Sequence, residues 1–327
     1  MRALRTVVLV LIALAAGTVL WLDLTDLSRS GDSAALRAPV PPAEPARPAV
    51  TSPQAPAGPR APARPPVADA DPALLEQGPY GPLPRIAPDG RRPSDVYAAH
   101  HAGNSGKPRV AVIVTDLGLA RTATDAAIDK LPAAVSLGFS PYAAELPALT
   151  GRARAAGHEL LLAVPMEPVG YPSNDPGNRA LLTAFPAAEN IAQLKWLMAR
   201  FTGYVGVIPF FGSRFLASPG HLSPILKELN ERGLMFVDYS PTGDSAAPRI
   251  AGEIGLPIAV ADLRIDEEPA PDAIDAALAE VETAARRDGA AVAVALPYPV
   301  TIERLAAWLA GLPGKGIGLV PVTAIAK

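Results

Sequence analysis

Ten polar residues downstream of position 109 closely follow apolar runs, where side chains can do chemistry: Asp116, Ser140, Glu167, Arg214, Asp238, Tyr239, Ser240, Asp262, Arg264 and Asp266. Carboxylates dominate. Paired Asp and Glu residues divide general acid and base work when their surroundings separate their pKa values, so Asp116, Glu167 and Asp238 are the catalytic candidates. Arg214 and Arg264 open a second reading, in which they neutralise those carboxylates as structural ion pairs. The histidines fall elsewhere: His100 and His101 precede the first strong strand, His158 opens a strand at its N-terminal end, and His221 lies within a predicted helix. A metal hydrolase normally draws on imidazole at its ligand face, and no histidine is expected there. The run Ile208 to Phe211 places two aromatic rings just before Gly212, Ser213 and Arg214. Such rings either stack on a sugar or plug the mouth of the fold.

These side chains need strands to carry them. Arg109 to Gly118 reads R-V-A-V-I-V-T-D-L-G, continuously apolar up to Thr115 and Asp116. Continuous rather than alternating apolarity marks a strand covered on both faces, as in parallel sheets. Asp116 then stands where strand meets loop, the face on which such folds bind ligands. The plain alternative is a cap for the following helix. Further strands are predicted near 135–139, 159–164, 204–207, 235–238, 257–263, 291–296 and 319–322, with helices near 120–130, 144–156, 187–201, 219–232, 271–287 and 300–309. This alternation implies an α/β fold, a (β/α) barrel of seven or eight parallel strands, with an open doubly wound sheet as the alternative.

Upstream the composition changes. Arg2 and Arg5 precede an uncharged run from Thr6 to Leu22, long enough to approach the span of a bilayer core of about 30 Å. The flanking positive charge predicts an N-terminal anchor or signal over residues 1–27, with the rest exported. Of the 38 prolines, 17 lie between Pro39 and Pro93, so residues 28–73 are expected to be a disordered spacer that buries no core. Residues 74–106, where Tyr80, Leu83, Ile86, Val96 and Tyr97 interrupt the prolines, form an irregular arm. The barrel occupies 107–327. A net charge of −3 gives no bulk attraction to nucleic acid. The absence of cysteine rules out disulfides, thiolate catalysis and cysteine-ligated zinc.

Several segments together resemble the divergent polysaccharide deacetylase family: Asp116-Leu117-Gly118, Leu137 to Tyr142, Gly157-His158-Glu159, Pro165 to Pro168, Asp175-Pro176-Gly177, Tyr204 to Val207, Gly212 to Phe215, Arg232-Gly233-Leu234 with Phe236 to Asp238, and Leu319 to Val322. The resemblance implies a barrel related to metal-dependent carbohydrate deacetylases, usually exported, with the glycan site at the C-terminal ends of the strands. The departures fall on the catalytic positions. Thr115 and Asp116 stand where the family often has two aspartates, Phe210 stands at one histidine position, and Leu296 at the other. Neither replacement side chain ligates a cation or carries a proton.

The expectation is therefore an exported, membrane-tethered member of this family, with its bulk in the periplasm. It serves as a glycan-binding or scaffolding module, meeting cell-envelope glycan through Phe210, Ser213, Arg214 and Asp266, and its catalytic site is degraded. The alternative is an active hydrolase that removes acetyl groups from amino-sugar polysaccharide with the remaining carboxylates. No cofactor is expected in the first case. In the second a divalent metal is, with Asp116 as its ligand.

Overall fold

The computed structural model describes residues 70–101, 106–240 and 243–327. The expected anchor over residues 1–27 and the spacer up to residue 69 lie outside them. Among the described residues no helix is long and apolar enough to cross a membrane.

A hairpin of β1 (Leu75–Gly78) and β2 (Gly81–Pro84) and a short helix α1 (Pro93–Val96) precede the alternating part. That part runs β3 (Arg109–Leu117), α2 (Arg121–Lys130), β4 (Ser136–Phe139), α3 (Leu146–Ala155), β5 (Leu160–Met166), α4 (Ala187–Met198), β6 (Gly206–Phe211), α5 (Ser213–Leu216) and α6 (Pro219–Glu231). It continues through β7 (Met235–Asp238), α7 (Ala247–Ile254), β8 (Ile258–Val260), β9 (Leu263–Arg264), α8 (Pro271–Asp288), β10 (Ala290–Ala295), α9 (Pro299–Gly311) and β11 (Gly318–Leu319). Local signals explain the helix limits. α8, for example, begins on Pro271 with Asp272 in its first turn and ends with Arg286 and Arg287 before Gly289, whose φ of 82° supplies the left-handed cap.

All pairings in the large sheet are parallel, in the order β8-β7-β6-β5-β4-β3-β10-β9, with β11 beside the start of β3. The two ends of that order are neighbours in sequence. β8 pairs with β7 and β9 pairs with β10, while the Ala261 amide donates to the Asp238 carbonyl and the Asp262 amide to the Val292 carbonyl. One continuous segment thus joins both edges of the sheet and curls it into a barrel. The strand expected over 257–263 is split at this crossing, so Asp262 spends its carboxylate on the Val292 amide (2.8 Å) and does not reach a strand end.

Alternate residues of each strand enter two separate cores, which is why the strands read as unbroken apolar runs. Val110, Val112 and Val114 face outward to the helices together with Leu137, Leu160, Leu162 and Phe236. Ala111, Ile113, Leu161, Ala163, Ile208, Val237, Val292 and Val294 fill the interior with Leu74 and Tyr97 from the arm. The arm packs at the N-terminal ends of the strands and begins earlier than residue 74. The Asp71 amide donates to the Tyr97 hydroxyl (2.9 Å), and its carboxylate accepts from Ala73 and pairs with Arg91.

Glu159 anchors this end. Fully buried just before β5, it accepts hydrogen bonds from Ser136 Oγ (2.7 Å), Thr323 Oγ1 (2.7 Å), the Thr323 amide (3.2 Å) and the Ala99 amide (3.2 Å). A charge inside a barrel costs heavily unless its oxygens are satisfied. Here both are. Its neighbour His158 is also fully buried, with Nδ1 2.8 Å from the Val135 carbonyl and Nε2 3.3 Å from the Ile128 carbonyl. It is a packing residue, and burial lowers its pKa.

Candidate functional site

At the opposite end, β3 does not run straight to its loop. Its register with β4 shifts between Val114 and Leu117, so one extra residue bulges out, and that residue is Asp116. Its φ is 61°, in the left-handed region that disfavours side chains. The shift sends Leu117 to the outer core and leaves Thr115 and Asp116 at the mouth. Thr115 lies so close over β4 that a Cβ on residue 138 would meet its Oγ1 at 2.8 Å and its Cα at 3.2 Å, which is why Gly138 is a glycine.

A pocket of about 210 Å³ opens here, lined by Thr115 and Asp116 of β3, Pro209, Phe210 and Phe211 of β6, and Ser213. Tyr239, Arg264, Glu267, Val294 and Leu296 complete it. Strand alternation puts them there: Phe210 follows inward-facing Ile208 by two residues, and Leu296 follows Val294. Phe211 is the second non-glycine residue with positive φ, at 60°, and it is 46 % exposed. Among the described residues these two strained positions, Asp116 and Phe211, are the only ones of their kind, and both line this pocket. Such strain persists only where the surrounding structure enforces it, and it clusters at functional sites.

Two polar groups in the pocket wall lack partners. Thr115 Oγ1 is buried without a hydrogen bond, and no hydrogen bond or ion pair from a described residue reaches the Asp116 carboxylate. Burial pushes the Asp116 pKa up to about 7, opposed by the charge of Arg264 and assisted by that of Asp266. The carboxyl is therefore half protonated near neutrality and can donate as well as accept. It caps no helix: α2 starts after Ala120 without a side-chain cap, and the Gly118 amide donates to Thr124 Oγ1 (2.8 Å).

The other candidates divide clearly. Ser213 lines the pocket and accepts from the Val169 amide (3.0 Å). Glu167 does not line it. Its Oε2 accepts from the Thr183 amide (2.5 Å) and Thr183 Oγ1 (2.7 Å), and its Oε1 pairs with Arg214 Nη1 at 3.3 Å. That ion pair occupies Arg214, which leaves Asp116 without it. Asp238 ends β7 on the outward face beside Ser245, with one oxygen unpartnered and its pKa raised by burial. Asp266 is fully buried beneath the site. It accepts from the Leu296 amide (2.7 Å) and Thr301 Oγ1 (3.1 Å) and pairs with Arg264 Nε at 3.2 Å. Burial raises its pKa too. Glu167 and Asp266 thus hold the frame, and Asp238 lies outside the pocket lining. Sequence reasoning missed Glu267, which lines the pocket with no signal beyond its place after Asp266.

The family model of the divergent polysaccharide deacetylases matches residues 112–326. The chain belongs to this family. A solved structure of a protein from Agrobacterium tumefaciens, ATU2773, shares 38 % identity, covers 75 % of this chain and 99 % of its own, and superposes with a TM-score of 0.73. An uncharacterized protein of Haemophilus influenzae is 27 % identical over 206 residues, 63 % of this chain and 72 % of that one. YibQ of Escherichia coli is 23 % identical over 206 residues, and the match spans 63 % of each protein.

Membership raises the question of a metal, and the donor set answers it. Asp116 is flanked in the pocket by Phe210 and Leu296, which offer no lone pair. Among the described residues no three His, Asp or Glu side chains come together as a metal-holding group. The residues present do not fit a catalytic divalent cation, which takes three protein ligands at zinc or several oxygens at magnesium or calcium.

Proposed function

We propose that this chain is an exported, membrane-tethered member of the divergent polysaccharide deacetylase family that binds cell-envelope glycan at the barrel mouth without hydrolysing it. The observation that carries the reading is the pocket itself: two strained residues, an unpartnered buried hydroxyl and exposed aromatic surface stand where a metal site would need imidazole. Maintaining strain and an unsatisfied polar group costs stability, so the arrangement is best explained by a ligand that uses it. The surroundings support a binding face. Leu119, Val169, Phe211 and Tyr298 are large apolar residues left exposed, and they lie at or just beyond the ends of β3, β5, β6 and β10, around the mouth. Phe210 and Phe211, with ring centroids 4.5 Å apart, offer faces for a sugar ring. Export rests on Arg2, Arg5 and the uncharged run from Thr6 to Leu22.

The test is a sedimentation assay with peptidoglycan and chitin, run alongside measurement of released acetate. Binding without acetate release, weakened at least tenfold in Phe210→Ala, is the expected outcome. Catalytic acetate release that disappears in a folded Asp116→Asn variant would restore the hydrolase reading. A reporter fused after Lys327 is expected to be active only outside the cytoplasm, and cytoplasmic activity would remove the anchor.

A further inference from the structure

The charge of the pocket narrows the ligand, granted the glycan-binding reading above. Arg264 is the one cation among the lining residues, and its guanidinium is already engaged. Nε donates to Asp266 Oδ1 at 3.2 Å and Nη2 to the Asp266 carbonyl at 3.3 Å, and Tyr239 shares a further hydrogen bond with it. With fully buried Asp266 beside it, Arg264 is half of a neutral pair. Two carboxyl groups in the wall, Asp116 and Glu267, have no hydrogen-bonded or ion-paired cation among the lining residues. Around them stand three aromatic rings, Phe210, Phe211 and Tyr239. Aromatic faces attract cations through the ring quadrupole, and the attraction grows when water is displaced. Thr115 Oγ1 adds a buried acceptor without a donor. At about 210 Å³ the pocket is smaller than the roughly 300 Å³ at which sites for drug-sized ligands begin, so it suits one sugar-sized unit.

We propose that the pocket receives the ammonium group of a non-acetylated amino-sugar residue, with Asp116 and Thr115 at its floor, Glu267 at its rim and the aromatic rings as its walls. An N-acetyl group carries no charge for the two carboxyls to meet, and a ligand carboxylate would be repelled by Glu267 and by the ionised form of Asp116. The chain would then recognise glycan from which acetyl has already been removed, so another enzyme, an amidohydrolase acting on N-acetyl groups, must supply its ligand.

The test is calorimetric titration of the purified full chain at neutral pH with the tetramer of glucosamine and, separately, the tetramer of N-acetylglucosamine. The glucosamine tetramer is expected to bind at least tenfold more tightly. Glu267→Gln is expected to weaken it about tenfold, whereas Glu303→Gln, an equal change of net charge on exposed α9 outside the pocket, should leave it unchanged. Asp116→Asn, with its fold checked by thermal melting, should weaken binding as Glu267→Gln does. Equal or reversed preference for the two tetramers would overturn the ammonium assignment and leave glycan binding standing, as would equal losses in the Glu267 and Glu303 variants. Failure of both tetramers to bind would overturn the glycan reading as well.

Discussion

The two ends of the barrel each hold a carboxylate near a strand end, fully buried at Glu159 and half-buried at Asp116, and they treat it in opposite ways. At the N-terminal end Glu159 is met by four hydrogen bonds from three separate segments. At the mouth Asp116 sits in a left-handed bulge with no hydrogen-bond donor among the described residues. One end satisfies its carboxylate. The other leaves a carboxyl and a buried hydroxyl unpartnered beside two aromatic rings.

Breaking the N-terminal end should have the largest effect. Glu159→Ala strands the Thr323 and Ala99 amides and the Ser136 hydroxyl and should cost about 3 to 5 kcal/mol in chemical denaturation. A loss under about 1 kcal/mol would mean that this end is not the anchor. Asp116→Asn should move stability the other way at alkaline pH. Because burial raises the Asp116 pKa from 3.8 to about 7, the native state holds its proton more tightly than the unfolded chain does. That contribution is present below pH 3.8 and is lost as pH rises through about 7. At pH 8 the variant should therefore be more stable by about 2 to 4 kcal/mol, the order given by 1.36 kcal/mol per pKa unit, and the gain should vanish by pH 4. The pairing of Asp116 with Arg214 that the sequence suggested would have made this variant destabilising. The Glu167–Arg214 pair reverses that sign.

Smaller effects sharpen the contrast at the mouth. Gly138→Ala drives a Cβ to within 2.8 Å of Thr115 Oγ1 and should cost about 1 to 3 kcal/mol by overpacking. Adding Thr115→Ala should restore only part of that loss, because the Cβ and Cα of residue 115 remain 3.1 and 3.2 Å from the new methyl, and full restoration would mean that the hydroxyl alone makes the clash. Phe211→Gly relieves the positive φ and should stabilise the fold by about 1 kcal/mol while weakening glycan binding. A destabilised Phe211→Gly that still binds fully would place Phe211 in the structural frame.

Much of this fold was legible in the sequence because strands flanked by two cores must be apolar throughout. Val110 to Val114 and Ala291 to Ala295 therefore announce themselves. Asp116 stood out for the same reason, as the first charge after such a run. Partnerships were not legible. Glu159 is held by Ala99, Ser136 and Thr323, positions 60, 23 and 164 residues away. No local pattern could reveal that. The bulge at Asp116 and the strain at Phe211 are equally silent, because both arise from register against neighbouring strands. Helices α5 and α7, four and eight residues long, are too short for periodicity to stand out. Asp238 and Asp266 read as site residues because they follow apolar runs, and only the fold shows that neither lines the pocket and that Asp266 accepts from Leu296 and Thr301.

The proposed glycan binding at the mouth uses the chain's own side chains, with no metal. The direct measurement is a calorimetric titration of envelope-glycan oligomers into the purified protein, with and without a strong chelator. Saturable binding is expected that the chelator does not alter and that Phe210→Ala weakens at least tenfold. Binding that collapses with chelator and returns with zinc would contradict it.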